Sequence, residues 1–299
     1  MQSLALSELP PPPEGKIGWP WTEESVPVPA IRSDGQPWPL ISIVTPSYNQ
    51  GQFIEETIRS VLLQGYPNLE YLVLDGGSTD QTREILEKYR PFLSYLRSAP
   101  DKGQSAAISE GFQRSSGEIL AWLNSDDRYQ PNAFVRVAEF FLAHPKIVFA
   151  NSDVNFIDGA GNHLHRMYVA NPNPLVVAHT GSHTWPQQGC FWRHSAYTAV
   201  GGVNESLRFC MDRDLFIRLA RSGNTRRIPG KPLADFRIHE TAKSSTIQEV
   251  ANREGAMLIE KYSYSRNQNY IRLIKLYEKF WTKPAQLRQF VGKISHQEW

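Results

Sequence analysis

The sequence predicts an α/β fold with a mostly parallel central sheet, helices on both of its faces, and a helical C-terminal tail. Three observations carry the prediction. Between residues 39 and 150, short apolar runs alternate with segments of helical period, the pattern of successive βαβ units. Those runs, Ile119-Leu120-Ala121-Trp122-Leu123 above all, read as buried strands of the kind that fill parallel sheets. The four loops that follow the first four runs carry small, polar or acidic residues, and in such sheets ligands bind outside the carboxyl ends of the strands.

Taken in order, Leu40–Thr45 reads as the first strand, and Phe53–Gln64 as a helix with apolar positions at Phe53, Ile54, Ile58, Val61 and Leu62, one stripe of a 3.6-residue period. Leu69–Leu74 is a second strand and Thr82–Tyr89 a helix; Ser94–Arg97 is a short third strand before a helix over Ser105–Arg114. Ile119–Leu123 is the fourth strand, Pro131–Ala143 a helix and Ile147–Ala150 the fifth strand. Beyond residue 150 the alternation weakens. Asp158-Gly159-Ala160-Gly161-Asn162 suits a hairpin turn between strands near Val154 and Leu164. A loop around Thr184–Gln188 leads into a strand over Cys190–Arg193, Leu215–Arg221 is helical, and Asp235-Phe236-Arg237-Ile238 reads as a strand. Ahead of this body, residues 1–38 form a proline-rich extension with Pro10 to Pro13 in a run. Extended or disordered chain is expected there, although Trp19, Trp21 and Trp38 suggest a segment that lies against the folded body. The division is therefore 1–38, an α/β body over 39–245, and a helical region over 246–299.

The chain has 299 residues, enough for one large domain or two small ones, with 40 % apolar and 21 % charged residues and a net charge of +2. Those values are ordinary for a globular protein and give no sign of nucleic acid as a partner. Two cysteines, Cys190 and Cys210, make no disulfide framework and no Cys-x-x-Cys zinc pair, so a reducing compartment is the simpler reading. Met1 to Glu8 lacks the basic and apolar regions of a signal peptide, and no run approaches the roughly 18 to 20 apolar residues of a spanning helix. The expectation is a soluble, cytoplasmic protein, at most on the inner face of a membrane.

The candidate chemistry sits in the loops. Asp126 and Asp127 follow the most apolar strand. Adjacent carboxylates repel, and a divalent ion that takes one or two carboxylates plus phosphate oxygens would relieve them; a capped helix start before Pro131 explains the pair equally simply. Asp75 precedes Gly76-Gly77, where the backbone can turn tightly and a ligand approach closely, yet an ordinary turn carboxylate is an equal reading and Asp80 suits a cap on the next helix. Asp212 and Asp214 flank Arg213 at a helix start, where they offset the macrodipole or do chemistry. His239, at a strand end, is either structural or a metal ligand. No Gly-x-Gly-x-x-Gly opens a helix, no Gly-x-x-x-x-Gly-Lys-Ser/Thr occurs, and nothing marks a histidine partner for Ser47 or Ser78.

Together these motifs resemble the family 2 glycosyltransferases of the GT-A fold, whose central sheet is Rossmann-like. The resemblance runs from about Pro39 to Ser245. Ile41-Ser42-Ile43-Val44-Thr45-Pro46-Ser47-Tyr48-Asn49 resembles the family's opening strand and nucleotide loop, and Asp75-Gly76-Gly77-Ser78-Thr79-Asp80 its Asp-Gly/Asp-Ser-Ser/Thr-Asp signature. Asp101-Lys102-Gly103, then Ala107-Ile108-Ser109-Glu110-Gly111, is similar to its Gly-x-x-x-Ala-x-Asn-x-Gly stretch. Leu123-Asn124-Ser125-Asp126-Asp127 stands where its Asp-x-Asp metal motif belongs, and Gly201-Gly202-Val203-Asn204-Glu205 followed by Asp212 matches its Gly-Gly-Phe-Asp-Glu … Glu-Asp region. Asn124, Ser109 and Met211 replace the usual Asp, Asn and Glu.

The resemblance implies a donor pocket lined by Thr45, Pro46, Tyr48 and Asn49, with Asp75 on the base and Lys102, Gln104 and Ser125 completing the nucleotide set. It implies Mn²⁺ or Mg²⁺ held by Asp126, Asp127 and His239, and Asp212 as general base. On the acceptor side, Trp185, Gln187, Gln188 and Trp192 are candidates, because aromatic faces suit sugar rings, and Trp192 suits a core as well. The implied activity is transfer of a sugar, with inversion, from a nucleotide-diphosphate donor, UDP or dTDP by family habit, to a glycan or lipid-linked glycan. The implied setting is bacterial cell-surface polysaccharide or glycolipid assembly. Two other readings stay open: a carbohydrate-binding scaffold that has lost catalysis, and a nucleotidyltransferase, which would need an early glycine-rich phosphate loop with a basic residue that is not found. In the tail, Arg266, Arg272, Lys275, Lys279, Lys283, Arg288 and Lys293 face the single acid Glu278 and interleave with aromatic and aliphatic residues. Such a helix suits an anionic membrane surface, or packing on the body or on a second copy in a homodimer.

Overall fold

The computed structural model describes residues 3–180, 185–243, 247–263, 265 and 267–295; Thr184, Ser245, Arg266 and the boundary drawn between 245 and 246 lie outside them. The chain runs β1 (Ile41–Ser47), α1 (Ile54–Leu62), β2 (Leu69–Asp75), α2 (Thr82–Tyr89), β3 (Tyr95–Ser98), α3 (Gln104–Arg114), β4 (Ile119–Trp122) and β5 (Arg128–Tyr129). It continues through α4 (Ala133–Ala143), β6 (Ile147–Asn151), β7 (Val154–Ile157), β8 (His163–Met167), α5 (Pro174–Thr180), β9 (Phe191–Arg193), α6 (His194–Ala199) and α7 (Met211–Ser222). It ends with β10 (Asn224–Arg227), β11 (Ala234–Arg237), α8 (Gln248–Tyr262) and α9 (Gln268–Ser295).

Seven strands form the main sheet in the order β10-β6-β9-β4-β1-β2-β3, and β5-β11-β7-β8 form a second, smaller sheet. β1 pairs in parallel with β2 on one side and β4 on the other. The chain winds outward from β1 through β2 to β3 and then returns to β4, so the strand order reverses at β1. A crevice outside the carboxyl ends of β1 and β4 is the ligand site that such a reversal creates. The fifth expected strand, β6, is not a neighbour of β4. β9, which arrives about forty residues later, inserts between them antiparallel to both.

Alternate side chains of each strand feed two cores. Ile41 and Ile43 of β1 and Ile119 and Ala121 of β4 join Ile54, Ile58, Phe134 and Val137 on one face. Val44, Leu120 and Trp122 join Ile108, Phe112, Leu215 and Phe216 on the other. Trp192 belongs to this second core: it is fully buried, 5.5 Å from Trp122 and 5.6 Å from Phe112 between ring centroids. Gly111 lets α3 lie close on β1, because a Cβ there would come within 2.5 Å of Val44 Cγ1.

The N-terminal segment lies on the body. Leu9, Trp21 and Trp38 are buried, and the indole of Trp19 donates to the carbonyl of Tyr129 (2.8 Å). The buried guanidinium of Arg59, on α1, donates to the carbonyls of Pro10 (2.8 Å), Pro20 (3.0 Å) and Trp21 (2.9 Å). Proline offers carbonyls and no N–H donors, so a proline-rich strap matches a side chain that only donates.

Two buried carboxylates brace the rest. Asp153 takes hydrogen bonds from Arg227 (2.6 Å), Arg166 (2.6 Å) and the N–H of Val169 (2.9 Å). Asp214 takes them from Arg218 (2.8 Å), Tyr262 (2.6 Å) and Lys261 (3.1 Å). Burial alone would raise both pKa values, but these partners outweigh it and hold both below the ordinary carboxylate value. The two groups therefore stabilise the fold while pH stays above the unfolded value of about 3.9, and the contribution disappears as pH falls through the lowered folded values. The expected result is a urea midpoint that holds from neutral pH to about 5 and drops steeply below about 4. Asp153→Asn lowers the midpoint at pH 7 and flattens the acid drop; an unchanged acid limb removes Asp153 as its cause.

Candidate active site

The loops at the β1/β4 reversal are tied together by short polar side chains. At the β1–β2 edge, Asp75 is fully buried and accepts from the N–H of Ser78 (3.0 Å), from the Ser78 hydroxyl and from Ser98 (2.6 Å). The N–H of Asn49 donates to Ser78 Oγ (2.7 Å), and Asn49 Oδ1 accepts from the N–H of Thr79 (2.9 Å). Asp80 caps, taking the N–H groups of Gly51 (2.9 Å) and Thr82 (3.0 Å). Thr45 is buried beneath this loop, its hydroxyl accepting from Tyr71 (3.1 Å), and Pro46 is buried beside it. Tyr48, at 62 % exposure, stands open at the rim.

The loop after β4 divides its two carboxylates. Asp127 is buried and accepts from the N–H of Arg237 (2.9 Å), from Gln188 (2.8 Å) and from Asn124 (3.4 Å). Burial, and then the neighbouring Asp126 carboxylate, push its pKa well up. Asp126 turns the other way and meets His239 Nε2 at 3.0 Å. The imidazole is set by three neighbours: Thr241 Oγ1 lies 2.9 Å from Nδ1, the ring of Phe53 packs at 4.7 Å, and Arg237 holds the strand end beneath. Arg237 is itself fully buried, donating to the Asp126 carbonyl (2.8 Å) and paired with Glu56 of α1 (2.8 Å). Thr57 of α1 donates its one hydroxyl proton to the carbonyl of Asp127 (2.6 Å), with that of Ser125 sharing it at 3.0 Å, and fixes the same loop from below.

A third group extends the site. Gln104, at the start of α3, donates to Asn124 (2.9 Å) and accepts from Lys243 Nζ (2.6 Å). Burial is the main cause that brings the Lys243 ammonium down to about 8, against the opposing pull of Glu254 and Asp212. Asp212, half-buried in the first turn of α7, accepts from the N–H of Arg213 (2.6 Å). Its charge reaches Lys243 and also lifts the thiol of Cys190, after burial, the larger cause. The turn that presents Asp212 is held by Glu254 of α8, which accepts from the N–H groups of Arg208 (2.8 Å), Phe209 (2.9 Å) and Cys210 (2.9 Å).

Residues 42–199 match the family described as glycosyl transferase family 2. The chain belongs to this family. Among its relatives is a protein of Bacillus subtilis (strain 168) described as "Putative teichuronic acid biosynthesis glycosyltransferase TuaG", 37% identical over 72% of this chain and 85% of that one. Among solved structures, S. aureus TarS in complex with UDP-GlcNAc superposes with a TM-score of 0.60 at 20% identity, covering 79% of this chain and 70% of that chain. The mannosyltransferase PcManGT of Pyrobaculum calidifontis, in complex with GDP-Man and Mn²⁺, superposes with a TM-score of 0.56 at 15% identity over 87% and 79%. At those identities the two structures establish the shared GT-A fold. Membership makes the chain a glycosyltransferase and sets the nucleotidyltransferase reading aside.

Within this family 2 glycosyltransferase, Asp126 and His239, far apart in sequence, meet at 3.0 Å, whereas Asp127 faces Arg237, Gln188 and Asn124 instead; among the described residues no group of three or more His, Cys, Asp or Glu side chains is arranged to hold a metal ion. Gln104 reaches the same loop through Asn124, and Ser125 is buried in it. Lys102 is exposed in the loop before α3. The residues expected on the acceptor side are buried. Trp185 packs on Phe149 at 5.6 Å, Gln187 donates to the carbonyl of Trp122 (2.5 Å), and Gln188 braces Asp127. Little of their surface is left to meet a sugar ring. Asp214, by contrast, braces the fold, its oxygens taken by Arg218, Tyr262 and Lys261. Sequence reasoning missed Lys243, Glu254, Glu56 and Arg237. Only Arg237 carried a signal, as a charge inside an apolar strand pattern.

Proposed function

We propose that this glycosyltransferase moves a sugar, with inversion and with a divalent cation, from a UDP- or dTDP-linked donor to an acceptor hydroxyl in cell-surface polysaccharide or glycolipid assembly. The observation that carries the reading is the pair Asp126–His239, 3.0 Å apart at the strand-order reversal. Its donors suit Mn²⁺ or Mg²⁺, which take one or two protein ligands and complete their shell with phosphate oxygens and water. Asp126 and His239 would hold the ion, and Asp127, engaged by three donors, braces the loop that presents them. When bound, the ion acts as a Lewis acid and offsets the charge of the departing diphosphate.

The other roles follow from position. Tyr48 and Asn49 offer the accessible wall for base and ribose, while Thr45, Pro46 and Asp75 shape it from below. Lys243 and Gln104 face the same loop and place a positive charge and an amide where phosphate oxygens arrive. Asp212 accepts the proton of the attacking hydroxyl, and a single in-line displacement inverts the anomeric centre. TuaG, described as a "Putative teichuronic acid biosynthesis glycosyltransferase", supports a surface polysaccharide as the destination, and the choice of UDP or dTDP follows family habit.

A thermal-shift panel of UDP, dTDP and GDP, each with and without Mn²⁺, tests the donor and the metal together. A ligand at about a hundred times its Kd contributes about 2.7 kcal/mol, a rise of roughly 4 °C for a chain of this size. UDP or dTDP should give the larger rise, and only with Mn²⁺. A larger rise with GDP replaces the donor base, equal rises without metal remove the cation, and no rise with any nucleotide sinks the donor reading.

A further inference from the structure

We infer that α9 is a docking surface for an anionic lipid bilayer, lying in the plane of the membrane interface. Around this helix, at about 100° per residue, the side chains sort into three faces. One face is taken by the body: Ile274 is buried, Tyr270 packs on His179 of α5 (5.3 Å between ring centroids), and Asn173 reaches the Tyr277 hydroxyl (3.5 Å). Next comes an apolar stripe of Leu273, Leu276, Phe280 and Leu287, exposed by 63%, 52%, 65% and 64%, within an arc of roughly 60°. Beyond it, Arg272, Lys275, Lys279 and Lys283 crowd one flank, all exposed.

The charge pattern decides what covers the stripe. The only acid in α9 is Glu278, half-buried, against those four bases and Arg288 and Lys293 further along the helix. A second copy docking α9 against α9, as a two-fold contact would, brings the same positive excess face to face. An anionic lipid surface brings the opposite charge beside an apolar layer, the setting in which amphipathic helices bury one face and let lysine stems reach the headgroups. Among the described residues no helix is long and apolar enough to cross a membrane, so the contact is with the surface. The inference does not depend on the catalytic reading, because none of these residues belongs to the site.

Flotation of the full chain with vesicles of phosphatidylethanolamine and phosphatidylglycerol, against pure phosphatidylcholine, tests it. The wild type should float with the anionic vesicles only and be released at about 0.5 M salt, where screening is strong. Leu276→Ser with Phe280→Ser should weaken partitioning by at least about tenfold, the loss expected on removing large apolar side chains from a buried position. Lys279→Glu with Lys283→Glu should abolish the preference for anionic vesicles. Unchanged melting temperatures would show that both variants fold. Equal flotation of wild type and variants, equal binding to neutral vesicles, or no binding overturns the proposal. So does a wild-type dimer that Leu276→Ser with Phe280→Ser turns into a monomer, which would make the stripe a contact between copies.

Discussion

Asp212→Asn lowers the rate of sugar transfer by about 10²–10⁴-fold, the usual contribution of a positioned general base. The isosteric change keeps an oxygen for the N–H of Arg213, which lies 2.6 Å from Asp212 Oδ1, and Glu254 goes on holding the turn in front of α7 through three backbone N–H groups. Fold and donor binding therefore remain, and the loss falls on kcat. Transfer measured under saturating donor, with the Mn²⁺-dependent thermal shift of the nucleotide diphosphate as a control, checks it. A variant as fast as the wild type removes Asp212 as the base. A wild type that transfers nothing to any acceptor and does not hydrolyse donor favours the reading of a glycan-binding protein that has lost catalysis.

Asp126→Ala removes the Mn²⁺-dependent part of donor binding and lowers transfer by at least about a hundredfold, because a Lewis acid at the leaving group is worth several kcal/mol. The side chain is partly open and its carboxylate faces His239, so its loss removes one of the two proposed ligands. Asp127→Asn should behave differently. Its carboxylate is buried among Gln188, Asn124 and the N–H of Arg237, so the change falls first on the melting temperature. Thermal shifts of both variants with UDP, with and without Mn²⁺, separate the two positions. A normal Mn²⁺-dependent shift in Asp126→Ala would move the ion to other residues.

The sequence made the first half of the site legible because its signals are local. Each βα unit places a strand end and its loop within a few residues, so Asn49, Asp75, Gln104 and Asp126 could be assigned to one edge before any contact was known. The helix over Thr82–Tyr89 was read with its true limits, since its period lies wholly within its own residues. Where a reading needed a partner across the chain, it stopped. Nothing in Cys190–Arg193 says that β9 will slot between β4 and β6, or that Trp192 will end among Phe112, Trp122 and Phe216. The burial of Trp185, Gln187 and Gln188 has the same origin, because amphipathic residues suit a sugar site and a packed core equally well.

The sequence alone determined the winding of strand and helix, the four polar loops at one sheet edge and the resemblance that made the chain a glycosyltransferase. The tertiary structure alone decided how each pair of neighbouring carboxylates divides: Asp127 is buried among three donors while Asp126 faces His239, and Asp214 is buried among Arg218, Tyr262 and Lys261 while Asp212 is half-buried at the start of α7. The physical reason is that a carboxylate's availability depends on the donors that surround it. Those donors, Arg237 and Gln188 for Asp127 and Tyr262 and Lys261 for Asp214, come from segments about fifty to more than a hundred residues away, a distance over which hydrophobic periodicity carries no information.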